Sequence, residues 1–204
     1  MEIIFDFLCV DFQYDFANVK GQKFTKGESV EFIINELFPF FVKYDIKVSE
    51  ILSDYRLPRG KSENELCVPG DIGFISLLPD NLRRGKPWIK CMHNPLWVRE
   101  NIGVPNAKLG PIYQNPEAFN QWIKEHLQTK NVILFGETAE CCLLQVASEL
   151  YFRGFNVYYI YEATDPMAER LLDKDKILFN STVSIYVKTV KYSEFIEMIG
   201  VEKW

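Results

Sequence analysis

The chain of 204 residues has two histidines, five cysteines and no excess of positive charge, and each shortage removes a class of function. Lys and Arg number 23 against 28 Asp and Glu, a formal charge of -5. No summed positive field is there to hold a nucleic acid backbone, so no nucleic acid partner is expected. No apolar stretch is long enough to span a bilayer, and no basic residue precedes Lys20, the reverse of a secretory leader. The expectation is no membrane partner and a cytoplasmic location. An odd number of cysteines, with Cys141 and Cys142 adjacent, does not make a disulfide framework and fits a reducing compartment. A special cysteine would then be present for its chemistry. What remains is ordinary for a globular protein with a full core: 48% hydrophobic, 15% aromatic and 25% charged residues. With no composition break or repeat, residues 1–204 read as a single domain.

Residues 3–10 (IIFDFLCV) form an apolar run broken only by Asp6, as a central strand buried on both faces would. Residues 29–44 carry a helical apolar stripe with Pro39 inside it, which predicts a kink. A strand at 48–53 follows, then long loops with a short helix over 54–87, and a short strand at 87–91. The pattern predicts a helix over 117–128, a clear strand at 131–136, and a helix from 140 to near Gly154. A strand at 155–161, a polar helix at 166–174, a strand at 182–187 and a helix at 192–199 complete the chain. Strands alternating with helices imply right-handed crossovers and an open parallel sheet with helices on both faces.

In such sheets ligands bind beyond the carboxyl ends of the strands. Asp11 follows the first strand, Lys90 ends the third, and Cys142 opens the helix after the fourth, so the three share one edge. Taken singly, each has a plainer reading: a turn aspartate, a solvated lysine, a packed cysteine. Taken together, a helix amino end and an ammonium would favour a thiolate at Cys142, while the like charge of Asp11 opposes it.

The string VDFQYDF (10–16) resembles the opening motif of the isochorismatase-like cysteine hydrolases, which include nicotinamidases, N-carbamoylsarcosine amidases and isochorismatases. GETAECCLLQVASELYFRGFNVYYIYEAT (136–164) is similar to their nucleophile segment, CVPGDIG (67–73) to their glycine loop, and Lys90 falls where the family lysine closes its strand. The resemblance implies a three-layer α/β/α fold with a six-stranded parallel sheet and an Asp11, Lys90, Cys142 triad, with Cys142 rather than Cys141 as nucleophile. It also implies a non-proline cis peptide joining Glu137 to Thr138, an oxyanion hole made by the backbone N–H groups of Thr138 and Cys142, and a homo-oligomer, either dimer or tetramer.

The departures from the family carry information too. Nicotinamidases hold a metal with an Asp and histidines; the matching segment here keeps Asp54 but has Arg56 where the first histidine belongs, and no histidine precedes His93. A zinc- or iron-type ion would lack imidazole ligands, so no metal and no cofactor are expected. Gly60-Lys61-Ser62 ends like a phosphate loop, but Tyr55 stands where the required glycine would be. For a small-molecule substrate the candidate binding residues are Phe16, Trp88 and Trp97 as walls and Arg56 as a fork for a carboxylate, while His93 is a lesser candidate. The expected activity is metal-independent hydrolysis of a C–N bond in a small amide, ureido or carbamoyl compound through a thioester. The alternatives are an isochorismatase-type vinyl ether hydrolase and a non-catalytic member that binds a small ligand.

Overall fold

The apolar run at the amino end forms β1 (Phe5–Val10), buried throughout. Residues 3 and 4 of the expected strand lie outside residues 5–200, which the computed structural model describes. Because side chains alternate across a strand, Leu8 and Val10 enter one core while Phe5, Phe7 and Cys9 enter the other. After the short α1 (Tyr14–Ala17), α2 (Ser29–Phe32) runs through a π turn (Ile33–Leu37) into α3 (Phe38–Lys43). The predicted kink is thus a wide turn placed just before Pro39, whose ring cannot sit under a regular α turn.

Then come β2 (Val48–Ser53), β3 (Trp88–Lys90), a side pair of β4 (Trp97–Val98) and β5 (Tyr113–Gln114), and α4 (Pro116–His126). The loops between β2 and β3 hold two single 3-10 turns, Ile72–Phe74 and Asp80–Leu82, instead of the expected short helix. β6 (Asn131–Glu137) leads through a π turn (Ala139–Leu143) into α5 (Leu144–Phe152), and β7 (Asn156–Asp165) into a 3-10 turn (Ala168–Asp173) and α6 (Lys174–Asn180).

The strand expected at 182–187 is also only partly formed. Residues 183–186 form α7 (Val183–Tyr186), and β8 starts only at its end (Val187–Val190), before α8 (Tyr192–Met198). The β-branched run looked like a strand, but the Ser181 hydroxyl accepts the Val183 N–H at 3.1 Å and turns the chain into a helical turn. Local capping overrides strand propensity.

The main sheet has the order β3-β2-β1-β6-β7-β8 with every pairing parallel. Helices α4 to α7 pack on one face, and α2, α3 and α8 on the other, giving the three-layer α/β/α arrangement. Register brings the strand ends into line: Val10 pairs with both Ile51 and Gly136, and Ser53 with Lys90. Gly136 has φ 117°, and a Cβ there would lie 2.2 Å from the Val10 carbonyl oxygen, so only glycine allows β1 and β6 to close at this edge.

Candidate active site

The VDFQYDF string folds as one anchor with two ties. Asp11 leaves β1 in the left-handed region, φ 53°, with its N–H donating to the Ile51 carbonyl at 2.9 Å. Two residues on, Gln13 donates to the carbonyls of Ser53 and Phe74, both at 3.0 Å, and accepts the Ser53 N–H at 2.7 Å. Asp15 accepts the Cys67 N–H at 2.7 Å, and its carboxylate fills the space where a Cβ on Gly73 would sit. The motif therefore locks the glycine loop and the end of β2 around Asp11, and this explains its residue types without any chemistry at Gln13 or Asp15.

Asp11, Lys90 and Cys142 are brought together. The Lys90 ammonium is fully buried and donates to Asp11 Oδ2 at 2.7 Å, Ser53 Oγ at 2.8 Å and the Tyr55 hydroxyl at 2.9 Å. The Ser53 hydroxyl donates in turn to Asp11 Oδ1 at 2.8 Å. Cys142 Sγ lies 3.2 Å from the Tyr55 hydroxyl and 3.5 Å from His93 Nδ1, and it faces the same cavity as Asp11.

The protons can be assigned by counting. An ammonium has three donors and accepts nothing, so Tyr55 accepts from Lys90 and its single O–H is left for Sγ. The thiol hydrogen is then left for another acceptor, and His93 Nδ1 and the Asp11 carboxylate both line the cavity beside it. The result is a directed chain from Lys90 through Tyr55 to sulfur.

Burial, followed by the nearby Asp11 charge, pushes the Cys142 thiol up to about 12, with Lys90 only partly offsetting them. This corrects the expectation of a favoured thiolate: burial and the Asp11 charge outweigh the lysine, and the resting group is a thiol. For Lys90, burial works against the charge, but Asp11 first, then Cys142 and Tyr55, hold it well above its ordinary value. Since the last two are protonated at neutral pH, Asp11 is the partner that keeps the ammonium charged.

Cys142 opens onto a cavity of about 550 Å³ lined by Asp11, Phe16, Tyr55, Arg59, His93 and Thr138 among others, a size typical of small-molecule sites. Phe16 is placed as expected, edge-on to Tyr55 at 6.3 Å. The Glu137–Thr138 peptide is cis, as the resemblance implied, and Thr138 caps the π turn that carries Cys142.

Three of the expected substrate-binding residues are elsewhere: two wall tryptophans and the arginine fork. Trp88 shares a face of β3 with Lys90 but sits two residues back from the edge, where it packs on Phe119 and Trp122 and donates to the Pro95 carbonyl at 2.8 Å. Trp97 lies on the β4–β5 side pair, paired with Gln114. Arg56 turns away from the cavity, with Nε and Nη2 on the two Asp54 oxygens at 2.9 and 2.6 Å and its other donors on the carbonyls of Val104 and Asn101. It has no fork left for a substrate.

Sequence reasoning missed Tyr55 and Arg59 and ranked His93 low. The sole available signal for Tyr55 was an aromatic directly after the second strand; its burial comes from an antiparallel bridge to Leu66 that folds residues 57–65 over the cavity.

Neither a protein-family model nor a curated protein sequence matches the chain. Solved structures do match over nearly its whole length. An isochorismatase-like hydrolase from Alkaliphilus metalliredigens superposes with a TM-score of 0.66 at 18% identity, covering 96% of this chain and 99% of that one. The chain has the isochorismatase-like hydrolase fold. A pyrazinamidase of Pyrococcus horikoshii in complex with zinc gives a TM-score of 0.65 at 16% identity, covering 93% and 100%, and an N-carbamoylsarcosine amidase from Thermoplasma acidophilum 0.61 at 12%, covering 93% and 96%.

On this isochorismatase-like scaffold the residues around Asp54 do not fit a metal. Both carboxylate oxygens are held by the Arg56 guanidinium, and Oδ2 also accepts the Gly103 N–H at 2.9 Å. A divalent cation would have to displace a fixed positive charge to reach its one oxygen ligand.

Proposed function

We propose that the protein is a metal-independent cysteine amidohydrolase that cleaves the C–N bond of a small amide, ureido or carbamoyl compound. The observation that carries this reading is the cavity floor: Cys142 Sγ meets the Tyr55 hydroxyl where the Asp11 carboxylate also lines the cavity, with Lys90 holding Asp11 and Tyr55 from behind. Asp11 takes the thiol proton as sulfur attacks the carbonyl, and the backbone N–H groups of Thr138 and Cys142 receive the developing oxyanion. Asp11 returns the proton to the departing amine, which leaves as the C–N bond breaks. Water then attacks the thioester, the acid is released and the thiol is restored.

With the thiol's affinity for its proton raised by burial, the thiolate forms only as the carbonyl arrives. The Tyr55 O–H and the Lys90 charge are then the groups that stabilise it. The names of the N-carbamoylsarcosine amidase and the pyrazinamidase among the structural neighbours agree with amide and ureido substrates.

The same proposal includes a homo-oligomer in the cytoplasm. All five cysteines are free, and no helix among the described residues is long and apolar enough to cross a membrane. Tyr151, Phe152 and Ile185 expose apolar surface that a second subunit could cover.

The test is intact mass after incubation with a panel of amides and carbamoyl compounds. An acyl adduct that maps to Cys142 and vanishes in Cys142→Ala is expected. An adduct on Cys141, or turnover that survives Cys142→Ala, overturns the assignment.

A further inference from the structure

The inner wall of the cavity carries one positive charge that its surroundings leave unanswered. Asp11 is neutralised by Lys90 at 2.7 Å. Glu137 is pushed well above the usual carboxylate range by burial, then by Asp165, and so keeps its proton. Arg59 has no such partner: among the described residues no carboxylate lies within ion-pair distance of it. Its guanidinium carbon stacks 4.1 Å over the Tyr55 ring, Nη2 donates to the Ser62 hydroxyl at 3.0 Å, and Nε is buried with no acceptor. A guanidinium that lines a cavity without a carboxylate partner is suited to a ligand carboxylate, which pairs with it through charge-assisted hydrogen bonds.

We propose that this site takes substrates bearing a carboxylate a few bonds from the scissile carbonyl, and that Arg59 holds that carboxylate. The inference rests on the amidohydrolase reading and narrows its substrate class. The placement is specific. Tyr55 touches the nucleophile with its hydroxyl and carries Arg59 on its ring face, so the anion and the scissile carbonyl would lie about one ring length apart. Lys23 on the exposed rim adds positive charge toward the entrance, where Glu169 opposes it, so the discrimination falls to Arg59. The stacked fork also distinguishes Arg59 from Arg56, whose donors are already spent on Asp54 and two carbonyls.

The probes are succinamate and glutaramate, monoamides of dicarboxylic acids, each paired with its neutral methyl ester. Binding is measured by calorimetry in the Cys142→Ala protein, where no turnover intervenes. At least one acid is expected to bind about 10- to 100-fold tighter than its ester, the range for a hydrogen bond to a charged group. Arg59→Gln in the same background should bring that ratio close to one, and Arg59→Lys, which keeps the charge but loses the fork, should leave an intermediate ratio. Equal binding of acid and ester, binding of neither, or a preference that survives Arg59→Gln overturns the inference. An Arg59-dependent preference in a protein that never forms an acyl adduct would leave the anion site standing and sink the hydrolase reading. Adducts formed equally from acids and esters would do the reverse.

Discussion

Two buried aspartates at the carboxyl edge of the sheet are each compensated by a cation, and the two pairs differ in what they leave over. Asp54 is met by Arg56, two residues along the same loop, and both carboxylate oxygens and four of the five guanidinium N–H donors are used: two contacts between the side chains, and further ones to Gly103, Val104 and Asn101. The pair staples the loop around residues 101–104 and has nothing to give a ligand. Asp11 is met by Lys90, 79 residues away, and still lines the cavity onto which Cys142 opens. A buried pair with nearly all valences used is structural, whereas one with an acceptor facing a cavity can move a proton.

The largest effects should separate the pairs by chemistry. Cys142→Ala and Asp11→Asn should each lower turnover on the order of 10^4-fold or more, as losses of nucleophile or base do. Cys141→Ala and Arg56→Met should lower it far less. Steady-state rates on whichever compound acylates the enzyme decide this; equal losses at Cys141 and Cys142 would put the register of the nucleophile off by one.

Stability should separate them differently. Removing one partner strands the other as a buried charge, so Lys90→Met and Arg56→Met should each cost about 3–5 kcal/mol in urea unfolding. The Asp54 pair, being structural only, should tolerate removal of both ends: Asp54→Leu with Arg56→Met is expected to recover most of that loss. A double variant as unstable as the single would mean that the backbone contacts of the pair, rather than its charges, hold the loop.

A smaller effect sits at the open end of the Asp11 pair. Tyr55→Phe removes the one O–H aimed at sulfur while leaving the ring and its packing, and should reduce kcat about 10- to 100-fold, the worth of a hydrogen bond to a charged group. The Cys142 thiol, pushed up to about 12, should react with iodoacetamide more slowly than a free cysteine between pH 7 and 9. Lys90→Met should slow it further, since Lys90 acts to lower that value. Faster labelling than a free thiol would contradict the desolvated resting state.

Much of this was legible from the residues, because strand ends and apolar runs are local signals. The buried β1 and β6 announced themselves by composition, and Asp11, Lys90 and Cys142 by standing just at or past such runs. What the sequence hid depends on how a loop folds back. Arg56 and Arg59 lie three residues apart in one polar segment, and nothing local says that the first turns to Asp54 and the second to the cavity. Tyr55 becomes central only through its bridge to Leu66. The helical turn at 183–186 was hidden in a different way: one serine cap outweighed a β-branched run. The tryptophans were misplaced because a strand position sets the face a side chain takes but not its distance from the edge.

A third buried acid completes the comparison, since it is compensated by a proton where the aspartates use cations. Glu137 ends β6 next to Asp165 of β7, accepts the Ser29 hydroxyl at 3.1 Å, and leaves Oε2 buried without a partner, while Lys174 serves Asp165 at 2.7 Å. Burial first, then the Asp165 charge, holds Glu137 well above the carboxylate value of 4.5. The folded protein therefore keeps a proton that the unfolded chain releases above about pH 4.5. Where the folded state binds more protons, stability falls as pH rises, so Glu137 contributes fully below its unfolded value and its contribution is lost as pH climbs toward the folded one. Glu137→Gln keeps the shape without the titration and should flatten this decline, with its advantage over the parent growing from pH 5 to pH 8 in urea midpoints. A parallel pH dependence in the two proteins would mean that Glu137 is ionised in the fold, and that Lys174 neutralises both acids rather than Asp165 alone.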